Sequence, residues 1–165
     1  VVAYRWERST DGLNFTHLNS DTQDYVESEL SPGDYYYRRI VRNGVCSDTS
    51  EVLMVQVLPP VANNEVIAPA ISEYCGIPES IALAASEPEG GDGKFSYAWE
   101  RSIDGGEFVD LGIDTKDLDD NNLTVPGEYE YRRIVISATC EPTLSNVVKV
   151  TLYPELSTNA IAGTG

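Results

Sequence analysis

Apolar and polar residues alternate along this chain with a period of two over short runs, and no stretch sustains the 3.6-residue period of a helix. In the second half, Glu65 to Ile71 predicts a first strand, with Pro69 tolerable at a sheet edge. Cys75-Gly76 predicts a turn, and Ser80 to Ala84 alternates as a second strand. The Pro- and Gly-rich run from Glu87 to Gly93 predicts a loop. Phe95 to Arg101 predicts a strand that carries Phe95, Tyr97 and Trp99 on one face. Asp104-Gly105-Gly106 supplies the positive φ of a tight hairpin turn, from which Glu107 to Leu111 returns. Asp114 to Asn122 is polar and predicts a loop crossing to a short strand around Leu123. Gly127 to Val135 and Asn146 to Tyr153 predict the last two long strands, with a turn carrying Cys140 between them.

The same pattern occurs twice. Tyr4-Arg5-Trp6-Glu7-Arg8-Ser9-Thr10-Asp11-Gly12 matches Tyr97 to Gly105 at a displacement of 93 residues. Gly33-Asp34-Tyr35-Tyr36-Tyr37-Arg38-Arg39-Ile40-Val41 matches Gly127 to Val135 at 94, and Ser50-Glu51-Val52 matches Ser145-Asn146-Val147 at 95. A period of 93–95 residues is too long for a solenoid unit and suits one self-contained immunoglobulin-like sandwich. In such a domain a Gly-acid-Tyr run opens the sixth strand. Its first Tyr bonds back across the corner and the residue two further on enters the core.

The expected fold class is therefore all-β, tandem immunoglobulin-like sandwich repeats with almost no helix. Residues 1–59 read as the later strands of one repeat, 60–64 as a linker, 65–154 as a complete repeat, and 155–165 as a linker opening a third. The chain reads as a window on a longer array. A first repeat without its early strands would expose an inner face and a bare strand edge, so completing it requires strands from the parent protein or from another chain. The core positions are Trp6, Trp99, Tyr35, Tyr37, Tyr129 and Tyr131.

Charge narrows the partners. Twenty-seven acidic residues against 11 basic ones give a net charge of −16, opposite to what a phosphate backbone requires, so nucleic acid is not an expected partner. No apolar run is long enough to span a bilayer as a helix, and membrane embedding is not expected. Candidate chemistry is sparse. His17, the lone histidine, is replaced by Asp110 in the second copy, and no nucleophile–base set or phosphate loop can be assembled. No enzyme activity and no organic cofactor are expected.

Asp114, Asp117, Asp119 and Asp120 offer oxygen ligands to Ca²⁺, without the spacing of an EF-hand, and a solvated loop is the competing reading. Cys46, Cys75 and Cys140 are disulfide candidates. A Cys75–Cys140 bridge within one repeat, staples between neighbouring repeats and free thiols all remain open. Arg132 and Arg133 are expected to pair with Glu100 and Glu130 on an exposed face. Tyr25, Tyr35, Tyr36 and Tyr37 raise the alternative of a sugar-stacking platform.

The set Tyr-x-Trp-Glu-x-Ser-x-Asp-Gly, Tyr-x-Tyr-Arg-Arg-Ile-Val, Cys and Ser-Asn-Val-Val resembles the tandem immunoglobulin-like repeats of large Bacteroidota surface adhesins. Those include gliding-motility adhesins exported by type IX secretion. The resemblance implies an extracellular stalk that holds an adhesive tip away from the cell. Its partners would be neighbouring repeats, with surface polysaccharide or substratum engaged through other regions. The Pro59-Pro60 pair fits short, stiff joints. The alternative is a carbohydrate-binding or accessory module of a secreted enzyme.

Overall fold

The computed structural model of the chain describes residues 1–157. The rest of the expected third-repeat opening, residues 158–165, lies outside the described residues. Those described form strands and no helix, in two compact units, Val1–Pro59 and Pro60–Gly165.

In the first unit the strands are β1 (Val2–Ser9), β2 (Thr16–His17), β3 (Gly33–Asn43), β4 (Cys46–Thr49) and β5 (Leu53–Val57). They make one antiparallel sheet in the order β2-β1-β3-β4, with β5 also on β3. One edge of β3 is covered in succession, Gly33 to Tyr37 by β5 and Ile40 to Asn43 by β4. Two-residue alternation along β3 turns Tyr35 and Tyr37 to one face, where both are buried.

The second unit holds β6 (Glu73–Cys75), β7 (Ile81–Leu83), β8 (Ser96–Ile103), β9 (Val109–Asp110), β10 (Leu118–Asp120), β11 (Gly127–Ile136), β12 (Thr143–Leu144) and β13 (Val148–Tyr153). The larger sheet runs β6-β13-β11-β8-β9, with β12 on β11, and the smaller is β10 paired with β7. Bridges Ala62–Glu89 and Val66–Ala85 lay the unit's first segment beside the smaller sheet. The two layers close on one core. Trp99, Tyr129, Tyr131, Val148, Val150 and Leu152 come from the large sheet, and Ile81, Leu83, Leu118, Val66 and Ala85 from the opposite layer. This is a β-sandwich. In both units the first Tyr of the long strand bonds back four residues, Tyr35 Oη to Ser31 O at 2.8 Å and Tyr129 Oη to Val125 O at 2.7 Å.

Three local expectations are corrected. Glu65 to Ile71 is no regular strand; only Val66 bridges, and the strand forms later at β6, where a turn was expected. β6 is a parallel edge strand with exposed Glu73 and Cys75, so it carries no alternating signal. The short strand expected around Leu123 lies instead at Leu118–Asp120, inside the segment expected to be loop. Its inward positions are Leu118 and Asp120, and a buried carboxylate disguised the alternation. Arg133 is fully buried rather than on an exposed face, because β11 alternates Tyr129, Tyr131, Arg133 and Val135 inward. Arg132 faces the other way and pairs with Glu100 at 2.6 Å.

Candidate functional site

The side chains most tightly organised in each unit form a repeated Arg–carboxylate–Tyr group. In the second unit Arg101 Nη1 donates to Asp120 Oδ2 at 2.7 Å, and Tyr131 Oη donates to the same oxygen at 2.9 Å. In the first, Arg8 pairs with Glu27, and Tyr37 Oη donates to Glu27 Oε2 at 2.7 Å. β8, β10 and β11 each contribute one member in the second unit, so the group ties three strands through side chains. Burial, then the Glu27 hydrogen bond, pushes the Tyr37 hydroxyl up to about 12. Burial, then the negative charge of Asp120, also raises Tyr131.

A second repeated device surrounds the tryptophans. Trp99 Nε1 donates to Thr115 O at 2.9 Å and Trp6 Nε1 to Thr22 O at 3.1 Å, at equivalent positions of the two units. Trp99 is wholly buried, whereas Trp6 is half-buried and stacks on Tyr25 with ring centroids 5.7 Å apart.

Arg133 is a group the sequence reading missed. Its guanidinium donates to Asn64 Oδ1, Lys116 O and Ser86 O, each at 3.0 Å, and lies over the Tyr97 ring. Burial lowers its pKa. The only signal available was its place two residues beyond Tyr131 on an alternating strand.

The four acidic candidates are not brought together. Asp120 is engaged by Arg101 and Tyr131, and Asp117 Oδ1 accepts the Ala85 amide at 2.9 Å. Asp114 and Asp119 are exposed, and alternation points Asp119 away from Asp120. Among the described residues no three acidic, His or Cys side chains converge on a possible metal position.

The cysteines are likewise apart. Cys46 and Cys75 are exposed thiols in no disulfide. Cys75 pairs with Tyr153, at the end of β13 beside Gly127, while Cys140 follows the opposite end of β11. A strand of that length spans roughly 30 Å. A disulfide needs Cα atoms within about 7 Å, so the Cys75–Cys140 bridge within one repeat is excluded.

The first unit carries an open aromatic face. Trp6, Tyr25, Leu30, Tyr37, Leu53 and Val55 line a cleft of about 250 Å³, with Glu27 at its polar end. Leu53 is 63% exposed and Val55 36%, although their counterparts Val148 and Val150 are buried. Of the expected tyrosine platform, Tyr25 and Tyr37 line this cleft. Tyr35 is buried, and Tyr36 faces the other side, against Gly12.

No curated protein matches the chain. A family model described as a domain of unknown function, DUF8696, matches residues 2–59 and 65–154, nearly all of both units. The recurrence of the Arg–carboxylate–Tyr group, the bonded tryptophan and the tyrosine back-bond across those two spans agrees with that match, and the chain belongs to the DUF8696 family.

Proposed function

We propose that these units are immunoglobulin-like stalk repeats of a large secreted bacterial surface adhesin, and that they bear tension and perform no catalysis. The observation that carries this reading is the parallel ladder between β6 and β13. Glu73, Tyr74 and Cys75 pair with Thr151, Leu152 and Tyr153, flanked by Thr151 N to Ser72 O and Gly76 N to Tyr153 O, each at 2.8 Å. The chain enters the second unit ahead of β6 and leaves it after β13. Tension entering the unit first meets the Ala62–Glu89 and Val66–Ala85 bridges; beyond them it pulls the two strands in opposite directions along one ladder, whose bonds bear load together in shear. An antiparallel pair joined by a hairpin would open one bond at a time.

Charge and resemblance support the same reading. A net charge of −16 keeps neighbouring stalks from adhering to one another. The motif set resembles Bacteroidota adhesin repeats of the gliding-motility, type IX-secreted kind, and that resemblance supports a parent protein at the cell surface with neighbouring repeats as its partners. Single-molecule pulling of the full chain through its termini tests the reading. The second unit should unfold in one high-force event, and Tyr74→Pro, which interrupts the ladder, should lower that force markedly. A low unfolding force indifferent to Tyr74→Pro would refute the load-bearing role.

A further inference from the structure

Residues 61–67 lie along residues 84–89 as a strap, held at two isolated bridges. At the first, Ala62 N donates to Glu89 O at 2.9 Å and Glu89 N to Ala62 O at 3.0 Å. At the second, Ser86 N donates to Glu65 O and Ile67 N to Ala84 O, each at 2.9 Å. Between them Asn63 takes a φ of 57°, which interrupts strand pairing. Side-chain amides supply the other fastenings. Asn64 Nδ2 donates to Thr143 O at 2.9 Å. Asn146 clasps the Val66 backbone, accepting from its N at 2.8 Å and donating to its O at 2.9 Å. Val66 is the one residue of this run in the core cluster, and Ile67 and Ile71 are both exposed.

The surface under the strap is fixed independently of it. The loop that carries Glu89 is pinned to the end of β11, where Asp92 N donates to Ser137 Oγ at 3.1 Å and Ser137 Oγ donates to Asp92 Oδ1 at 2.8 Å. The approach is so close that a Cβ on Gly91 would stand 2.0 Å from Ser137 Oγ. β6 is held in another way, by consecutive pairing of Glu73, Tyr74 and Cys75 on β13, with Tyr74 packed against the core. An interrupted strap on a rigid seat therefore precedes a continuous ladder along the same chain.

We propose that residues 61–71 are a reversible tension strap, which opens as a separate step ahead of the β6–β13 ladder and lengthens the chain while the core stays folded. The inference rests on the tension-bearing reading of these units and deepens it. While the bridges hold, tension entering at Val61 crosses into residues 84–89, and β6 carries none of it. Load reaches Glu73–Cys75 only after the strap has left. The strap yields at lower force because its pairing is interrupted and water takes over the polar groups it releases. Its seat stays in place, so it closes again when tension falls. The freed run, residues 61–71, extends to at most about 40 Å.

Single-molecule pulling of the full chain reads the step directly. A short extension at low force should precede the high-force event of the second unit and reverse on relaxation. Ala62→Cys with Glu89→Cys, in a chain with Cys46, Cys75 and Cys140 each changed to Ser, permits a lock, because directly paired residues lie within disulfide reach. Glutathione disulfide forms the bond, taking up the two electrons of the two thiols. The short extension should then disappear, and the high-force event should release less chain, with residues 63–88 held in the closed loop. Dithiothreitol should restore both. Amide exchange on the unsubstituted chain gives a second readout. Ala62, Glu89 and Ile67 should exchange faster than Gly76 and Thr151, with a weaker dependence on denaturant.

A reduced chain without the short extension would overturn the strap, as would an extension that survives the lock. Equal protection of the strap and ladder amides would do the same. Tyr74→Pro keeps the two readings apart. A lowered main force with no short extension sinks the strap alone, and a short extension with a main force indifferent to Tyr74→Pro sinks the ladder alone.

Discussion

Tyr131 and Arg101, opposite each other on neighbouring strands of the larger sheet, donate to the same carboxylate oxygen of Asp120 on the smaller sheet. Asp120 is 1% exposed, so neither donor can be replaced by water without opening the core. Removing the acceptor leaves the buried Tyr131 hydroxyl without its partner and the Arg101 cation without its counter-charge, with Nη1 held only by the Asn122 carbonyl at 3.0 Å. Asp120→Ala should cost about 3–5 kcal/mol, the range for breaking one side of a buried ion pair. Asp120→Asn retains an oxygen acceptor for Tyr131 but loses the charge and the bond from the Asn122 amide to Oδ1, so it should cost less than the alanine change without being neutral. Denaturant unfolding of the full chain, followed through Trp99 in a Trp6→Phe background, measures both. Equal costs would mean that the charge of Asp120 accounts for its whole contribution and that a neutral oxygen acceptor there adds nothing.

The tyrosines of these groups give stability a dependence on alkaline pH. The folded-state pKa of Tyr37 is pushed up to about 12 by burial and by Glu27, and that of Tyr131 is also raised. An unfolded tyrosine ionises near 10. The folded state thus holds these protons more tightly, and the stability they contribute is complete below about pH 10. It is lost as pH climbs through the folded values, from about 12 for Tyr37. Absorbance at 295 nm should show a late step at or above pH 12, accompanied by loss of the β circular dichroism signal. Tyr37→Phe should shrink that step. Complete ionisation near pH 10 with the dichroism unchanged would show that the hydroxyls are not tied to their carboxylates.

The strands legible in the sequence are those with several apolar or aromatic residues at inward positions. β13 alternates Val148, Val150 and Leu152 against Lys149 and Thr151, and β8 carries Tyr97 and Trp99 on one face. The sequence conceals the places where a polar side chain faces inward and is satisfied there. Asp120 hid β10 inside an apparently solvated loop, and Arg133 looked like half of an exposed Arg pair. β6 was hidden differently, since a three-residue edge strand with one half-buried side chain leaves no periodicity to read. The open face was legible in part. Trp6 and Tyr37 could be placed from the repeat. The exposure of Leu53 and Val55 depends on which strands lie opposite them, and alternation cannot report that.

Arg133 is where these features meet. Its Nε reaches Asn64, its Nη1 reaches Lys116 and its Nη2 reaches Ser86, so one rigid fork ties three loops to β11. Asn64 is held again from the other side, donating to Thr143 O at 2.9 Å, and Val66 N donates to Asn146 Oδ1 at 2.8 Å. The first segment of the second unit is therefore fastened by polar side chains as much as by strand pairing. Lysine keeps the charge but offers a compact point donor on a flexible stem, unable to span three acceptors set in a planar array. Arg133→Lys should destabilise the second unit by about 2–4 kcal/mol, because carbonyls and a cation are left partly unsatisfied in a buried site. Amide exchange separates this role from a general packing loss. The Val66, Ala62 and Glu89 amides should lose protection at denaturant concentrations where Tyr129 and Val150 remain protected. Uniform loss across the unit would instead mark Arg133 as an ordinary core residue.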